Sequence, residues 1–149
     1  MLIRVITNPV LVIEPSEAPK GSIITIYLRN VFLGEEAREY VGERARTMGG
    51  MLEVYTGGRW LPIMKLDFEG TIVKVDDKYM FLAEPRQVPI NLPAGNYIVR
   101  YVMEDHVLVI REKPGIGTKV AESAASGLGF AIGSTIGSAI ATALLLKVR

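Results

Sequence analysis

The sequence predicts a mainly β protein, in which an antiparallel β-sandwich is followed by a C-terminal α-helix of the transmembrane type. Two observations lead to this prediction. Short runs of β-branched and aromatic residues, separated by Gly, Pro, Asn and Asp, fill most of the first 113 residues. Residues 124–146 then run without a charge or a proline, and at about 1.5 Å per residue they form enough helix to cross a bilayer.

Ten short runs have the composition and alternation of β-strands. They are residues 2–7, 10–13, 22–30, 51–56, 59–65, 70–75, 79–83, 87–91, 96–103 and 106–112. Turn sequences separate several neighbouring runs, and Gly57-Gly58 supplies two residues that tolerate positive φ in a tight hairpin. Asp76-Asp77 and Glu104-Asp105 take the same place between other runs. Consecutive hairpins imply antiparallel pairing.

Residues 92–101, Leu-Pro-Ala-Gly-Asn-Tyr-Ile-Val-Arg-Tyr, place a Pro-Ala-Gly turn before an aromatic-bearing run. This segment resembles the penultimate strand of immunoglobulin-like domains. The chain lacks the Cys pair of antibody domains, and its Trp60 follows a Gly-Gly turn. The resemblance therefore implies only the general sandwich class, for which we expect an immunoglobulin-like or jelly-roll-like type.

One short crossover helix is predicted over residues 34–50. Ala37, Tyr40, Val41, Ala45 and Met48 follow spacings of three and four among charged residues, which indicates an amphipathic helix. Gly42 inside this segment costs about 1 kcal/mol relative to Ala. We expect the helix to cap one open end of the sandwich. A contact surface for a neighbouring subunit is the alternative.

The predicted domain organisation follows the composition. Residues 1–113 form the sandwich, 114–123 a Gly-containing linker, 124–146 a hydrophobic small-residue helix that acts as membrane anchor, and 147–149 a basic tail. No N-terminal signal is recognisable, because Arg4 and Asn8-Pro9 interrupt the first apolar run. We therefore predict a tail-anchored, single-pass membrane protein whose N-terminal domain is cytosolic.

Two lines of residues along the predicted helix indicate helix–helix packing. Large residues recur at every fourth position beside a GxxxG-like line of small ones, so a ridge adjoins a groove. The packing residues are Leu128, Ile132, Ile136, Ile140 and Leu144 on the ridge and Gly129, Gly133, Gly137 and Ala141 in the groove. Ridge-into-groove contact uses both surfaces and favours a cyclic homo-oligomer over a dimer. The alternative is a helix buried against the chain's own sandwich.

Catalytic, cofactor and metal sites are not predicted. His106 stands beside Glu104 and Asp105, but adjacent strand residues point to opposite faces and do not converge on one ion. Asp67 and Glu69 share a strand face, although nothing marks the cleft that a glycosidase needs. Residues 115–119 lack the spacing of a phosphate loop, and the glycines after residue 126 miss the dinucleotide pattern by one position.

The composition limits the kinds of partner that this protein is expected to bind. The net charge of +1 with interspersed acids and bases gives no basic face for nucleic acid. The absence of Cys excludes disulfides and thiol chemistry, and together with a single Gln and abundant Ile, Val, Arg and Glu it fits hyperthermophile usage. The expected partners are the lipid bilayer and further copies of this chain.

The leading function is therefore a non-enzymatic structural protein that displays a β-sandwich on a membrane and oligomerises through its Gly-rich helix. This architecture is similar to that of membrane-anchored minor proteins of internally enveloped virus capsids, which would add capsid or envelope proteins as partners and the virion membrane as location. Two alternatives stay open. One is a small pore-forming or membrane-remodelling protein, and the other is a soluble binding module whose helix packs into a fibre or complex.

Overall fold

The computed structural model describes residues 1–110 and 139–149. Of these described residues, 62% lie in β-strands and 5% are helical, so the protein is mainly β. The strands form two sheets whose neighbours are almost all antiparallel. The predicted mainly β, antiparallel class is thereby confirmed.

The described residues contain fourteen strands and one 3-10 helix. The strands are β1 (Leu2–Arg4), β2 (Val10–Glu14), β3 (Glu17–Ala18), β4 (Ile23–Arg29), β5 (Phe32–Leu33), β6 (Arg44–Thr47), β7 (Met51–Thr56), β8 (Arg59–Lys65), β9 (Glu69–Val75), β10 (Lys78–Ala83), β11 (Arg86–Pro89), β12 (Gly95–Val102), β13 (Val107–Ile110) and β14 (Ala139–Val148). The 3-10 helix, Glu35–Tyr40, lies between β5 and β6.

The six-stranded sheet has the order β1-β13-β6-β9-β10-β5, with antiparallel neighbours throughout. Just beyond β1, Val5 bridges to Leu33 of β5, and the Ile6 N–H donates to the Phe32 carbonyl at 2.9 Å. The two edges of this sheet therefore meet, and the sheet closes on itself.

The eight-stranded sheet has the order β11-β4-β2-β14-β12-β7-β8, with β3 paired to β14. Strand β14 is antiparallel to β12, where Thr142 faces Arg100, and parallel to β2, where Thr142 faces Val10. Its last residues run parallel to β3. Strand β14 therefore joins the β11-β4-β2 half of this sheet to the β12-β7-β8 half.

Among the described residues, a large hydrophobic core receives side chains from both sheets, and a smaller cluster is formed by Met48, Val107 and Val109. Its largest fully buried members include Tyr101, Phe68 and Phe81. The Phe68 and Tyr101 rings meet edge to face with centroids 5.0 Å apart, a favourable aromatic geometry. The strands on either side of this core are thus held together mainly by apolar burial.

The predicted strands agree closely with the observed ones. Each of the ten predicted runs overlaps one of the observed strands, and the bounds of β7 and β8 are those predicted. Between them, Gly57 and Gly58 have φ of 60° and 81°, as the tight hairpin requires. The Tyr97 hydroxyl donates to the Pro93 carbonyl at 2.7 Å, a local bond of the kind found at the tyrosine corner of immunoglobulin-like domains. The type of the sandwich stays a prediction.

The helix predicted over residues 34–50 is wrong in most of its length. Only Glu35–Tyr40 is helical, as a 3-10 helix with Ala37 completely buried, and Arg44–Thr47 forms strand β6. Gly42 takes a φ of 92°, which interrupts helical geometry between the two segments. Ala45 and Thr47 are buried while Arg44 and Arg46 are half-buried, and this period of two is that of a strand.

Residues 139–146 of the helix predicted over residues 124–146 lie in strand β14, Ala139–Val148. Residues 124–138 lie outside the described part of the chain. A short apolar run does not distinguish a buried strand from a buried helix by periodicity alone. In the sheet, small residues of β14 lie opposite large residues of β12, and Ala141 is paired with Tyr101. Tertiary pairing therefore overrides the helical spacing.

Within residues 1–110 and 139–149, no helix combines the length and the apolar character that crossing a membrane demands.

Candidate functional site

Three of the nine residues predicted to pack helices lie in the described part of the chain. Ile140 and Ala141 lie in β14, where 2% and 3% of their surfaces are exposed, and Leu144 belongs to the same strand. In the described structure these three positions lie in a sheet strand, and the helix-packing role of the nine residues stays a prediction. The other six, Leu128, Gly129, Ile132, Gly133, Ile136 and Gly137, lie outside the described residues.

The outer face of the eight-stranded sheet carries a continuous line of exposed and half-buried apolar side chains. Trp60, Tyr55, Ile98 and Leu145, which we call the outer row, occupy the adjacent strands β8, β7, β12 and β14. Tyr55 lies opposite Trp60 and opposite Ile98, while Leu145 lies in the bulge of β14 that faces Ile98. Between 41% and 51% of Tyr55, Ile98 and Leu145 is exposed. The outer row therefore crosses four strands.

A charged pair supports one end of the outer row. The Arg100 guanidinium places Nε and Nη2 each 2.7 Å from Glu53 Oε1, and only 16% and 9% of the two side chains are exposed. The same guanidinium lies 4.2 Å from the centroid of the Trp60 ring. Trp60 also meets Tyr55 edge to face, with centroids 5.3 Å apart. These contacts hold the indole in place before any partner arrives.

The chemistry of this face suits association with another protein. Trp, Tyr and Arg are the residues that most often dominate the binding energy of interfaces. Rigid aromatic rings also lose little conformational entropy when a partner covers them. The outer row with Arg100 is therefore the candidate functional site of the described residues.

A buried polar network lies where the chain passes between the sheets, at residues 48–50 and 66–68. Thr47 Oγ1 accepts the Phe68 N–H at 2.9 Å and lies 3.0 Å from Asp67 Oδ1, to which its hydroxyl donates. The Tyr101 hydroxyl donates to the Leu66 carbonyl at 2.7 Å and lies 2.7 Å from Thr47 Oγ1. Asp67 Oδ1 also accepts the Gly50 N–H at 2.9 Å. The network satisfies backbone groups that the sheet ladders leave unpaired.

Tyr101 acts in this network as a neutral hydroxyl. Burial raises its pKa far above the ordinary value, and the Thr47 hydroxyl offsets only part of that rise. The side chain therefore keeps its proton over the whole physiological range. Its role is structural, because it bonds to a carbonyl and packs on Phe68 within the core.

Glu104 lies beside this network, at the turn between β12 and β13. Burial, and then the neighbouring carboxylates of Asp105 and Asp67, raises the pKa of its side chain above the ordinary 4.5. Its Oε2 is buried, and the structure gives that atom no hydrogen-bond partner among the described residues. Folding therefore favours the protonated form of Glu104.

This pKa shift predicts a pH dependence of stability. A carboxyl group whose pKa is raised in the folded state stabilises the fold at low pH, and this contribution is lost as the pH rises from about 4.5 through the folded-state pKa. We expect Glu104→Gln to be increasingly more stable than wild type as the pH rises from 4 to 7. Urea unfolding at several pH values measures the difference. The exposed Glu35→Gln is the control for loss of one surface carboxylate, and an equal gain of stability with pH in both variants would contradict the role derived for Glu104.

The described residues contain no group of three or more His, Asp and Glu side chains arranged to hold a metal ion. Asp67 and Glu69 serve structural contacts, because Asp67 belongs to the polar network and Glu69 lies 3.9 Å from Arg44. Sequence reasoning did not single out the outer row. The Gly57-Gly58 hairpin would have paired Tyr55 with Trp60, but Ile98 and Leu145 join them only through the sheet order.

Comparison with known protein families, curated proteins and solved structures gave no match to this chain.

Proposed function

We propose that this protein is a non-enzymatic assembly protein whose copies associate through the outer row. The observation that supports this proposal is a continuous line of half-exposed Trp60, Tyr55, Ile98 and Leu145 across four neighbouring strands. Contiguous exposed apolar surface on a small domain marks an interaction site more often than it marks idle surface. Two of its four side chains, Trp60 and Tyr55, are of the types that anchor interfaces.

A second copy of this chain is the partner that we propose for this face. A twofold axis would place one outer row against the same row of the other copy, because such interfaces are self-complementary. Arg100 and Glu53 neutralise each other within one copy, so two apposed faces would not repel through these groups. The net charge of +1 also leaves little general repulsion between copies.

Membrane display is a separate part of the proposal and has its own test. Ala139–Val148 lies in the sheet, and residues 124–138 lie outside the described part of the chain. The assembly contact is therefore placed on the sheet face and not on the helix. Flotation of the full chain with liposomes tests membrane attachment, and dye leakage tests the pore alternative.

Lysine substitution of the outer row is expected to dissociate the assembly. In the double variant Ile98→Lys/Leu145→Lys, two charges would be buried in an apolar interface, and we expect the dissociation constant to rise about 30-fold or more. Multi-angle light scattering and sedimentation velocity measure the mass over a range of concentrations. That mass also distinguishes a twofold dimer from the larger cyclic oligomer predicted from the helix faces.

The matched control is Val75→Lys/Leu82→Lys, which changes two residues on the six-stranded sheet that are 48% and 59% exposed. This variant should keep the wild-type mass. A wild-type protein that is monomeric at all concentrations tested, or a mass that both variants lower equally, would contradict the proposal.

A further inference from the structure

A cavity of about 210 Å³ lies on the inner side of the eight-stranded sheet. It receives side chains from β2, β4, β7, β8, β11, β12 and β14, which are all the strands of the continuous path through that sheet. A flat sheet does not bring its first and last strands to one cavity. The sheet is therefore strongly curled, with β8 and β11 approaching each other across the cavity.

The floor and the mouth of the cavity differ in exposure. Ile13, Ile26, Val99 and Leu146 are part of the wall, and each is at most 9% exposed. Ile63 of β8 is 39% exposed, and Asn91, just after β11, is exposed as well. These two residues stand on the two edges of the curled sheet. The mouth is therefore the gap between the edge strands β8 and β11.

The lining of the cavity is aliphatic. Its side chains are those of Ile, Leu, Val, Met and Pro, with Asn91 as the one polar residue and without a charged or aromatic member. An aliphatic wall offers dispersion contacts along its whole length but no partner for a charge. The amide of Asn91 supplies both a donor and acceptors at the mouth.

We propose that this cavity binds a single unbranched aliphatic chain that ends in an uncharged polar group. The chain would lie against the buried wall, and its hydroxyl or similar group would meet Asn91 at the mouth. The aliphatic wall lacks packing contacts on the side that faces the cavity, and a bound chain would supply them. A smaller apolar cavity, of about 150 Å³, is already known to stay dry and to bind benzene.

The probe for this site is 1-octanol, followed by thermal unfolding and by NMR of methyl-labelled protein. We expect 1-octanol to raise the unfolding temperature in a saturable manner, because the cavity exists only in the folded state. We also expect nuclear Overhauser contacts from the probe to the methyl groups of Ile13, Ile26 and Leu146. Octanoate at pH 8 should bind more weakly, because its carboxylate finds no charge partner in the lining.

Two variants test the cavity and the outer row independently of each other. Val88→Phe adds a ring to the wall at β11 and should weaken 1-octanol binding at least about tenfold, as measured by titration. Ile98→Lys/Leu145→Lys alters only the outer face and should bind 1-octanol as wild type does. The ligand proposed for the cavity can thus be confirmed when the assembly proposal fails, and the assembly proposal can be confirmed when the ligand proposal fails.

Three results would overturn the inference. They are a lack of saturable 1-octanol binding by wild-type protein, tighter binding of octanoate than of 1-octanol, and contacts from these methyl groups to another part of the chain in place of the probe. The NMR contacts are measured on wild-type protein, so the inference stays testable if Val88→Phe does not fold.

Discussion

Replacement of Gly50 by Ala is expected to destabilise the folded protein by about 3 kcal/mol or more. A Cβ atom at this position would lie 1.9 Å from the Tyr101 hydroxyl oxygen and 2.0 Å from the Leu66 carbonyl oxygen. Neither group can withdraw easily, because they are hydrogen-bonded to each other and Tyr101 is completely buried. The substitution therefore disturbs the crossing point of the two sheets. Urea unfolding followed by circular dichroism measures the loss.

Gly34→Ala is the control for this effect. The nearest atom to a Cβ at Gly34 is a methyl carbon of Ile6 at 4.0 Å, an ordinary van der Waals distance, and the φ of −81° suits any residue. We expect a change in unfolding free energy within about 0.5 kcal/mol. Equal destabilisation by the two substitutions would contradict the close packing derived for Gly50.

Replacement of Leu146 by Ala is expected to cost about 2 to 5 kcal/mol of stability. Leu146 is 2% exposed and lies in β14 opposite Tyr97, where its side chain belongs to the core. The neighbouring Leu145 is 51% exposed. Leu145→Ala should therefore change the stability of the monomer by only about 0.5 kcal/mol.

Substitution of these two adjacent leucines distinguishes the observed strand from the predicted anchor helix. A membrane helix distinct from the sandwich would leave the stability of the sandwich unaffected by either substitution. Denaturant unfolding of the full chain, at a concentration low enough to avoid association, provides the comparison. The strand assignment predicts a large loss for Leu146→Ala alone, and similar small losses for both variants would refute it.

The sequence predicts local features of this fold better than distant ones. The hairpin of β7 and β8 follows from Gly57 and Gly58, whose backbone freedom selects the turn and thereby the register of the flanking strands. The short strand β6 escapes prediction because its charged residues also fit a helical period, and only the sheet neighbours β13 and β9 decide between the two. Local chemistry specifies the β7–β8 hairpin, whereas pairing between remote segments determines strand β6.

The candidate site shows the same division. Tyr55 and Trp60 are cross-strand neighbours by turn geometry alone, so this half of the outer row is implicit in the sequence. Leu145 becomes part of the row only because β14 lies beside β12. Nothing in the spacing of residues 124–146 signals that pairing, since small residues at every fourth position are equally typical of packed helices.

The position of β14 has a consequence for how the protein reaches its native state. Strands β2 and β12 are produced long before residue 148, yet the gap between them is filled only by Ala139–Val148. During synthesis on the ribosome, the two parts of the larger sheet must wait, each with an unprotected edge, until that late strand inserts. Such remote closure is slow. A nascent chain of this protein therefore passes through a prolonged interval in which chaperones would have their greatest effect on yield.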